Sequence, residues 1–195
     1  MIVTILVAAG FDPAYSHREP VSQLSAEGAP MAALVAFGLF AAGAGLMLLT
    51  AILWRLRTPL GRIVVVVGFA SGLLIAISSF FPCSPGCPAP WTKEAAAQDV
   101  IHFVLVLAGF IGFGTAPAVA WLRLRLLPGQ RSYRRVTGVL AFVIIATSFL
   151  TFTAEALPSS LLTNTTGIWQ RISIGMSVVW FVITGFASLS HRQHP

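Results

Sequence analysis

Residues 31–54 read MAALVAFGLFAAGAGLMLLTAILW and contain no charged side chain. A helix that crosses a membrane needs about 20 consecutive, mainly apolar residues, because the hydrocarbon core is about 30 Å thick and each helical residue advances only ~1.5 Å. Water is absent from that core, so the backbone hydrogen bonds must be made within the segment itself. This stretch therefore predicts a membrane-spanning α-helix.

Four more stretches of similar length and apolarity follow it along the chain. Polar segments rich in Pro and Gly separate them, as expected for the loops between spans. The whole chain, 1–195, is therefore predicted to be a single integral membrane domain, an all-α polytopic transmembrane helix bundle with five full spans. The predicted spans are Met31–Trp54, Ile63–Phe81, Val100–Leu122, Val136–Leu157 and Ile168–Leu189.

The first ten residues, MIVTILVAAG, are also apolar, but they cover only about half of a bilayer. They lack the basic segment that opens a signal peptide. We expect this short N-terminal apolar segment to be either an interfacial segment or, in the interpretation we favour, a truncated sixth span.

The overall composition excludes several classes of protein. Only 9% of the 195 residues are charged and 56% are hydrophobic, with a mean hydropathy of +0.86. Soluble domains contain about 25% charged residues, so a soluble domain, a disordered chain and a disulfide-rich secreted scaffold are all excluded. The net charge of +6 does not indicate a nucleic-acid partner, because the basic residues are explained by membrane topology.

Most basic residues fall on one side of the predicted membrane, and all six acidic residues fall on the other. Cytoplasmic loops of membrane proteins carry an excess of Lys and Arg. The basic side, which includes the C-terminus, is therefore predicted to be cytoplasmic, and the membrane to be the bacterial inner membrane. The basic residues on this side are Arg55, Arg57, Arg62, Arg123, Arg125, Arg131, Arg134, Arg135 and Arg192.

Small residues recur four positions apart in three of the predicted spans. Such pairs allow helix backbones to approach closely, which matters in lipid because no hydrophobic force drives helices together there. They predict a compact bundle. The pairs are Ala41 with Gly45, Gly68 with Gly72, and Ala108 with Gly112.

Ionisable residues near the spans are concentrated at the outer ends of the helices. Asp99 and His102 are three residues apart and so share one helix face. Charged groups within a span are costly and are candidates for function. Asp99, His102 and Glu155 have the chemistry of acid–base groups and of metal ligands, so they are candidate catalytic residues and candidate ligands of a divalent metal. Candidates for ligand binding are Arg171, Gln170, His17 and Glu19.

A structural interpretation explains the same residues. Asp99 favours a helix N-terminus electrostatically, Glu155 and Arg171 can form an ion pair between helix ends, and His102 can hydrogen-bond a loop carbonyl. An HExxH metal motif is absent from the sequence. No cofactor is therefore firmly implied, and enzymatic activity stays an open question at this point.

The segment FPCSPGCP, residues 81–88, contains Cys83 and Cys87. It lies on the predicted outer side, where an oxidising compartment favours a disulfide. The intervening Ser-Pro-Gly is typical of a tight turn, so we expect a disulfide that shapes this loop. Thiol redox catalysis is disfavoured. Membrane thiol oxidoreductases have two residues between their paired cysteines and normally a second pair, whereas three residues separate Cys83 from Cys87 and the sequence has no other cysteine.

Several of these motifs together resemble the domain-of-unknown-function 998 family. They are YSHREPVSQLSAEGAP before a span, FPCSPGCP after the next, the Asp99-x-x-His102 helix start and GIWQRISI at the start of the last span. The resemblance runs from about Phe11 to Leu189. It implies a small prokaryotic membrane protein, typically with six helices, and it supports a truncated first helix; it supplies no catalytic residue. It also implies that these motifs share one outer face.

Two functions compete on this basis. The first is a non-enzymatic membrane subunit or lipid-binding protein with a disulfide-shaped outer face, whose partners are membrane lipids and a larger membrane protein complex. The alternative is a metal-dependent hydrolase of the outer leaflet, which acts on lipid or envelope material through Asp99, His102 and Glu155. A small-solute transporter ranks last, because the inner halves of the spans offer few polar groups.

Overall fold

The computed structural model describes residues 20–55, 61–126, 131–156 and 165–190. A short 3₁₀ helix, Val21–Ser25, precedes the first of five α-helices, and these described ranges contain no β-strand. The all-α class is confirmed. The α-helices are α1 (Ala32–Arg55), α2 (Gly61–Ser78), α3 (Ala97–Leu124), α4 (Arg131–Ala156) and α5 (Thr166–Ser190).

Within the described residues, four helices are long and apolar enough to cross a membrane: α1, α3, α4 and α5. The apolar part of α2, Arg62–Ser78, is shorter, so the predicted count of five full spans is not established. The predicted boundary at Phe81 was wrong, because the backbone leaves the helix after Ser78 in a turn that leads into Pro82. The predicted N-terminal apolar segment lies outside the described residues.

Successive helices run antiparallel and pack against their neighbours in sequence. On α4 and α5, for example, the Ser148 and Ser173 hydroxyls are 2.7 Å apart, and Tyr133 bonds Thr184 over 2.9 Å at the opposite end. Because the direction alternates, the starts of α1, α3 and α5 lie at the same end as the end of α2. This end, which carries the Cys83–Cys87 loop, is called the disulfide end. The opposite end, which carries Arg62, Arg123 and Arg131, is called the arginine end.

Glycines allow α1 and α2 to approach closely. A Cβ on Gly72 would lie 2.8 Å from the carbonyl oxygen of Gly43, and one on Gly68 would lie 2.8 Å from the Thr50 side chain. Both glycines of the predicted Gly68/Gly72 pair are therefore interhelical contacts. Gly112 of α3 packs in the same way against Ser71 of α2, which agrees with the predicted compact bundle.

A core toward the arginine end joins α3, α4 and α5 to α2. Trp180 and Ile144 are fully buried there, together with Ala116, Ala120 and Leu124. In lipid such side chains stabilise the bundle through van der Waals packing rather than by leaving water. The arginine end is thus tightly packed, and the remaining space in the bundle lies nearer the disulfide end.

Candidate functional site

The loop between α2 and α3 is closed by a disulfide between Cys83 and Cys87, as the sequence predicted. The N–H of Cys87 donates to the carbonyl oxygen of Ser84 over 2.9 Å, which forms a tight turn. Gly86 occupies this turn at φ 81°, a conformation that glycine adopts without steric cost. The loop is therefore a compact structure at the end of the bundle.

Asp99 fastens this loop to the start of α3. Its Oδ1 accepts a hydrogen bond from the N–H of Ser84 (2.7 Å), and its Oδ2 accepts from the Ser84 hydroxyl (3.0 Å) and the N–H of Ala96 (2.7 Å). The bond to Ala96 is the one that an acidic residue three positions into a helix makes with the residue preceding it. Both oxygens of this buried carboxylate are therefore already engaged.

His102, one turn further along α3, has one nitrogen bonded and one free. Nδ1 lies 2.7 Å from the carbonyl oxygen of Phe81. Since a carbonyl can only accept, Nδ1 carries the proton and Nε2 of the neutral ring presents a lone pair. Nε2 is buried without a hydrogen-bond partner among the described residues, and the His102 side chain is only 6% exposed.

The 3₁₀ helix Val21–Ser25 covers this end of the bundle. The N–H of Val21 donates to Oε1 of Gln170 on α5 over 2.7 Å, and the N–H of Glu27 donates to the carbonyl oxygen of Cys83 over 2.9 Å. Leu24 is buried with Val21 in a small apolar cluster. The predicted ligand-binding residue Gln170 therefore holds the covering segment in place.

Beneath this cover lies a cavity of about 410 Å³ between α1, α2, α3 and α5. Its walls are mainly Leu, Ile, Val and Phe side chains, and its polar groups include Ser78, His102 and Gln170 at the disulfide end. Gly45, Val178 and Val182 line it and are also exposed on the surface. The cavity therefore opens sideways, between α1 and α5.

A family model described as "Protein of unknown function (DUF998)" matches residues 1–187 of the chain. The chain belongs to the DUF998 family. The match covers α1 to α4 completely and α5 as far as Ala187, so the resemblance noted in the sequence is confirmed. A comparison with curated proteins finds no match, and a comparison with solved structures finds none either.

In this DUF998 protein the structure brings together some of the predicted site residues. Asp99, His102 and Gln170 all line a second pocket of about 40 Å³ beneath the disulfide loop. Arg171 follows Gln170, and its Nη1 donates to the carbonyl oxygen of Gly167 in its own helix over 2.8 Å. His17, Glu19 and the side chain of Glu155 lie outside the described residues.

A metal centre is not apparent in the described part of this DUF998 chain. No group of three or more His, Cys, Asp or Glu side chains that could hold a metal ion is present among those residues. Asp99 and His102 lie on one helix face as predicted, but their side chains bond different loop residues rather than each other.

The sequence analysis missed the cavity itself, and of the described residues that line it only His102 and Gln170 had been proposed as site residues. Gly45 was predicted to pack against another helix, but a Cβ added there would meet no atom within 4 Å. A signal for the cavity was present in AAGAG, residues 41–45, because a run of such small side chains leaves space beside a helix.

Proposed function

We propose that this DUF998 protein is a multi-pass protein of the bacterial inner membrane that binds a lipid-like ligand in the cavity between α1, α2, α3 and α5. The observation that carries the proposal is the cavity of about 410 Å³. Its size falls within the roughly 300–1,000 Å³ of typical small-molecule sites. Its walls are apolar and its opening faces sideways, where acyl chains surround a membrane protein.

A transmembrane α2 is part of this proposal. α2 has 18 residues, which is about 27 Å of helix and close to the hydrocarbon thickness. Its neighbours α1 and α3 run parallel to each other, so α2 must return the chain from the arginine end to the disulfide end. With α2 as a span, the described helices give five spans.

The orientation rests on the arginines at helix ends. Arg62 begins α2, Arg123 ends α3 and Arg131 begins α4, so the antiparallel bundle collects them at one end. By the excess of basic residues in cytoplasmic loops, the arginine end and the C-terminus are cytoplasmic. The disulfide then faces the periplasm, where disulfides persist.

Ligand binding is tested by filling the cavity opening. Gly45→Phe adds a large side chain at the opening, and Gly175→Phe adds the same side chain on α5 away from the cavity; both glycines have open space at Cβ. Native mass spectrometry of protein purified in mild detergent should find co-purified lipid on the wild type and on Gly175→Phe. We expect Gly45→Phe to retain at least about tenfold less, equivalent to roughly 1.4 kcal/mol. Equal retention by all three proteins would refute the proposal.

The second candidate function is the outer-leaflet hydrolase. The pocket of about 40 Å³ that Asp99 and His102 line is large enough for a water molecule, and an imidazole is a common acid–base group. Elemental analysis separates the two candidates. About one transition-metal ion per chain, lost in both His102→Ala and Glu155→Gln, supports the metal-dependent hydrolase. A folded wild type without metal removes that candidate.

Membership of a larger membrane complex remains a separate prediction. Chemical crosslinking in intact membranes, followed by purification, tests it. A second protein recovered at a constant ratio to this chain supports a subunit role, and recovery of this chain without such a protein contradicts that role.

A further inference from the structure

We infer that the cavity selects an uncharged lipid with a carbonyl group, whose oxygen accepts a hydrogen bond from the side-chain amide of Gln170. The inference rests on the proposed lipid-binding function and names the chemical class of the ligand. The class follows from the donors and the charges at the disulfide end of the cavity.

Gln170 has a side-chain amide donor without an acceptor among the described residues. Its Oε1 accepts from the N–H of Val21 over 2.7 Å, which fixes the other amide atom as the donor Nε2. No further hydrogen bond of Gln170 is present in this part of the chain, and the residue is only 7% exposed. A buried donor without an acceptor costs free energy, and a carbonyl oxygen on a bound lipid would remove that cost.

The Gln170 donor has accessible surface, in contrast to Nε2 of His102. The described side-chain atoms that are both fully buried and unpartnered include Nε2 of His102 but not Nε2 of Gln170. Since Nε2 of Gln170 is unpartnered, it is not fully buried. Gln170 lines both the cavity and the smaller pocket of about 40 Å³, so a ligand that fills these spaces contacts this residue.

Ser22 carries a second free donor at the same end. Its carbonyl oxygen accepts a bond from the Ser25 hydroxyl, but its own hydroxyl has no partner among the described residues. Ser22 lines both the cavity and the smaller pocket, as Gln170 does. A carbonyl oxygen has two lone pairs, so one lipid oxygen can accept from Gln170 and from Ser22.

The other polar side chains that line the two spaces have no accessible hydrogen to donate. The hydroxyls of Ser78, Ser177 and Thr151 each donate to a backbone carbonyl oxygen three or four residues earlier in their own helices. Nδ1 of His102 donates to the carbonyl oxygen of Phe81. The amide and the hydroxyl described above are thus the free side-chain donors among the described lining residues, and they call for an acceptor on the ligand.

The charges at this end favour an uncharged acceptor over an anion. Among the described residues that line the cavity or the smaller pocket, Asp99 is the only Lys, Arg, Asp or Glu. A phosphate or carboxylate bound beside Gln170 would be buried without a cationic partner, which is strongly unfavourable. A ketone or ester carbonyl accepts the same bonds and needs no counter-charge.

The apolar walls alone provide little selectivity in a membrane. An acyl chain that moves from the bilayer into the cavity leaves one apolar environment for another, so its burial is not driven by the hydrophobic effect. Discrimination between lipids must come largely from the polar end of the cavity. This makes the bond from Gln170 the main determinant of ligand class.

Three probes test the inference: methyl hexadecyl ketone, its analogue with a methylene group in place of the carbonyl oxygen, and hexadecanesulfonate. The analogue keeps the shape of the ketone but cannot accept a hydrogen bond. Each probe is titrated into delipidated protein in mild detergent, and its affinity is obtained from the rise in the thermal midpoint. We expect the wild type to bind the ketone about three- to tenfold more tightly than the analogue, as a net hydrogen bond predicts, and the sulfonate no more tightly than the analogue.

Gln170→Met removes the donor and keeps a side chain of similar length. It also removes the bond to Val21, so the affinities for all probes can change, but the ratio of ketone to analogue should fall toward one. Gln98→Met is the matched control, because Gln98 lies at the same end of the bundle and lines neither space. We expect it to retain the ratio of the wild type.

Infrared spectroscopy gives a readout that needs no variant. A carbonyl that accepts a hydrogen bond absorbs at a lower frequency than a free one. With one isotope-labelled ketone per wild-type protein, we expect the carbonyl band to lie below its position in hydrocarbon solution. A band at the hydrocarbon position would overturn the inference even if Gln170→Met does not fold.

The outcomes separate the inference from the function on which it rests. Equal binding of ketone and analogue by the wild type, tightest binding of the sulfonate, or a ketone preference that persists in folded Gln170→Met would each overturn the inference and leave lipid binding intact. No saturable stabilisation of the folded wild type by any probe would refute the proposed function as well.

Discussion

Asp99 and His102 lie one turn apart on the same face of α3, but they make different contacts. Both oxygens of Asp99 accept hydrogen bonds from Ser84 or Ala96. Nδ1 of His102 lies 2.7 Å from the carbonyl oxygen of Phe81, and the His102 residue lines the cavity. Asp99 therefore holds the disulfide loop in position, and His102 is the residue of the pair that lines the cavity of about 410 Å³.

Asp99→Asn tests this division of roles. The Asn side chain has one acceptor oxygen, and its amide group would face a backbone N–H of Ser84 or Ala96 that then loses its partner. We expect a loss of about 1–3 kcal/mol in stability, measured as a lower midpoint of thermal unfolding in detergent. Glu94→Gln is the control, because it removes the same charge from an exposed side chain and should have little effect. Similar midpoints for the two variants would contradict the role of Asp99 in holding the disulfide loop against the start of α3.

The sequence identified Asp99, His102 and Gln170 because polar side chains are conspicuous at the ends of apolar helices. It could not identify what they bond. The partner of Asp99 is Ser84, fifteen residues earlier, and its position depends on the path of the disulfide loop. The partner of Gln170 is Val21, which is 149 residues away in the chain and is brought near only when the bundle has formed.

The packing of α1 against α2 depends on Gly43 and Gly72. A Cβ on Gly72 would lie 2.8 Å from the Gly43 carbonyl oxygen, and one on Gly43 would lie 2.6 Å from the backbone nitrogen of Ala76. The obstacle in each case is backbone, which cannot rotate away as a side chain can. Any side chain at these positions must push the two helices apart.

Gly43→Ala and Gly45→Ala form a matched pair for this contact, two residues apart on α1. We expect Gly43→Ala to destabilise the protein by about 1–3 kcal/mol through overpacking. Gly45 has open space at Cβ, so Gly45→Ala should be neutral or stabilising by up to ~1 kcal/mol, since Ala favours helix over Gly. Thermal unfolding in the same detergent measures both. A Gly43→Ala midpoint at or above that of Gly45→Ala would show that the helices are not in close contact there.

Helix positions were largely predictable from the sequence, but the helix contacts were not. Apolar length located all five helices, because a span in lipid must be a continuous helix. The spacing of small residues identified Gly68 and Gly72 correctly, yet for α1 it indicated Gly45 instead of Gly43. Which face of a helix meets its neighbour depends on the rotation of both helices, and the spacing within one helix does not determine it.

The cavity is closed at both ends and open at the side. The 3₁₀ helix covers the disulfide end through the Val21–Gln170 bond, and α1 approaches α5 toward the arginine end, where Leu49 lies 3.8 Å from the position of a Cβ on Gly185. A ligand then enters between α1 and α5, by way of Gly45 and Val178. This arrangement favours molecules that are already dissolved in the bilayer.

The proposed topology places Arg62 and Lys93, which flank α2, on opposite sides of the membrane. Both side chains are exposed. In otherwise native protein, Lys93→Cys should react with a membrane-impermeant maleimide in intact spheroplasts, whereas Arg62→Cys should react only after lysis. Cys83 and Cys87 do not interfere, because their disulfide leaves no free thiol.

Arg125→Cys, just after α3, is the control for the cytoplasmic side and should behave like Arg62→Cys. The crossing of the membrane by α2 and the orientation of the bundle are then tested separately. If Arg62→Cys and Lys93→Cys react alike, α2 does not cross and the five-span bundle is wrong. If they differ in the opposite sense, α2 crosses the membrane but the orientation is inverted, and the disulfide end then faces the cytoplasm.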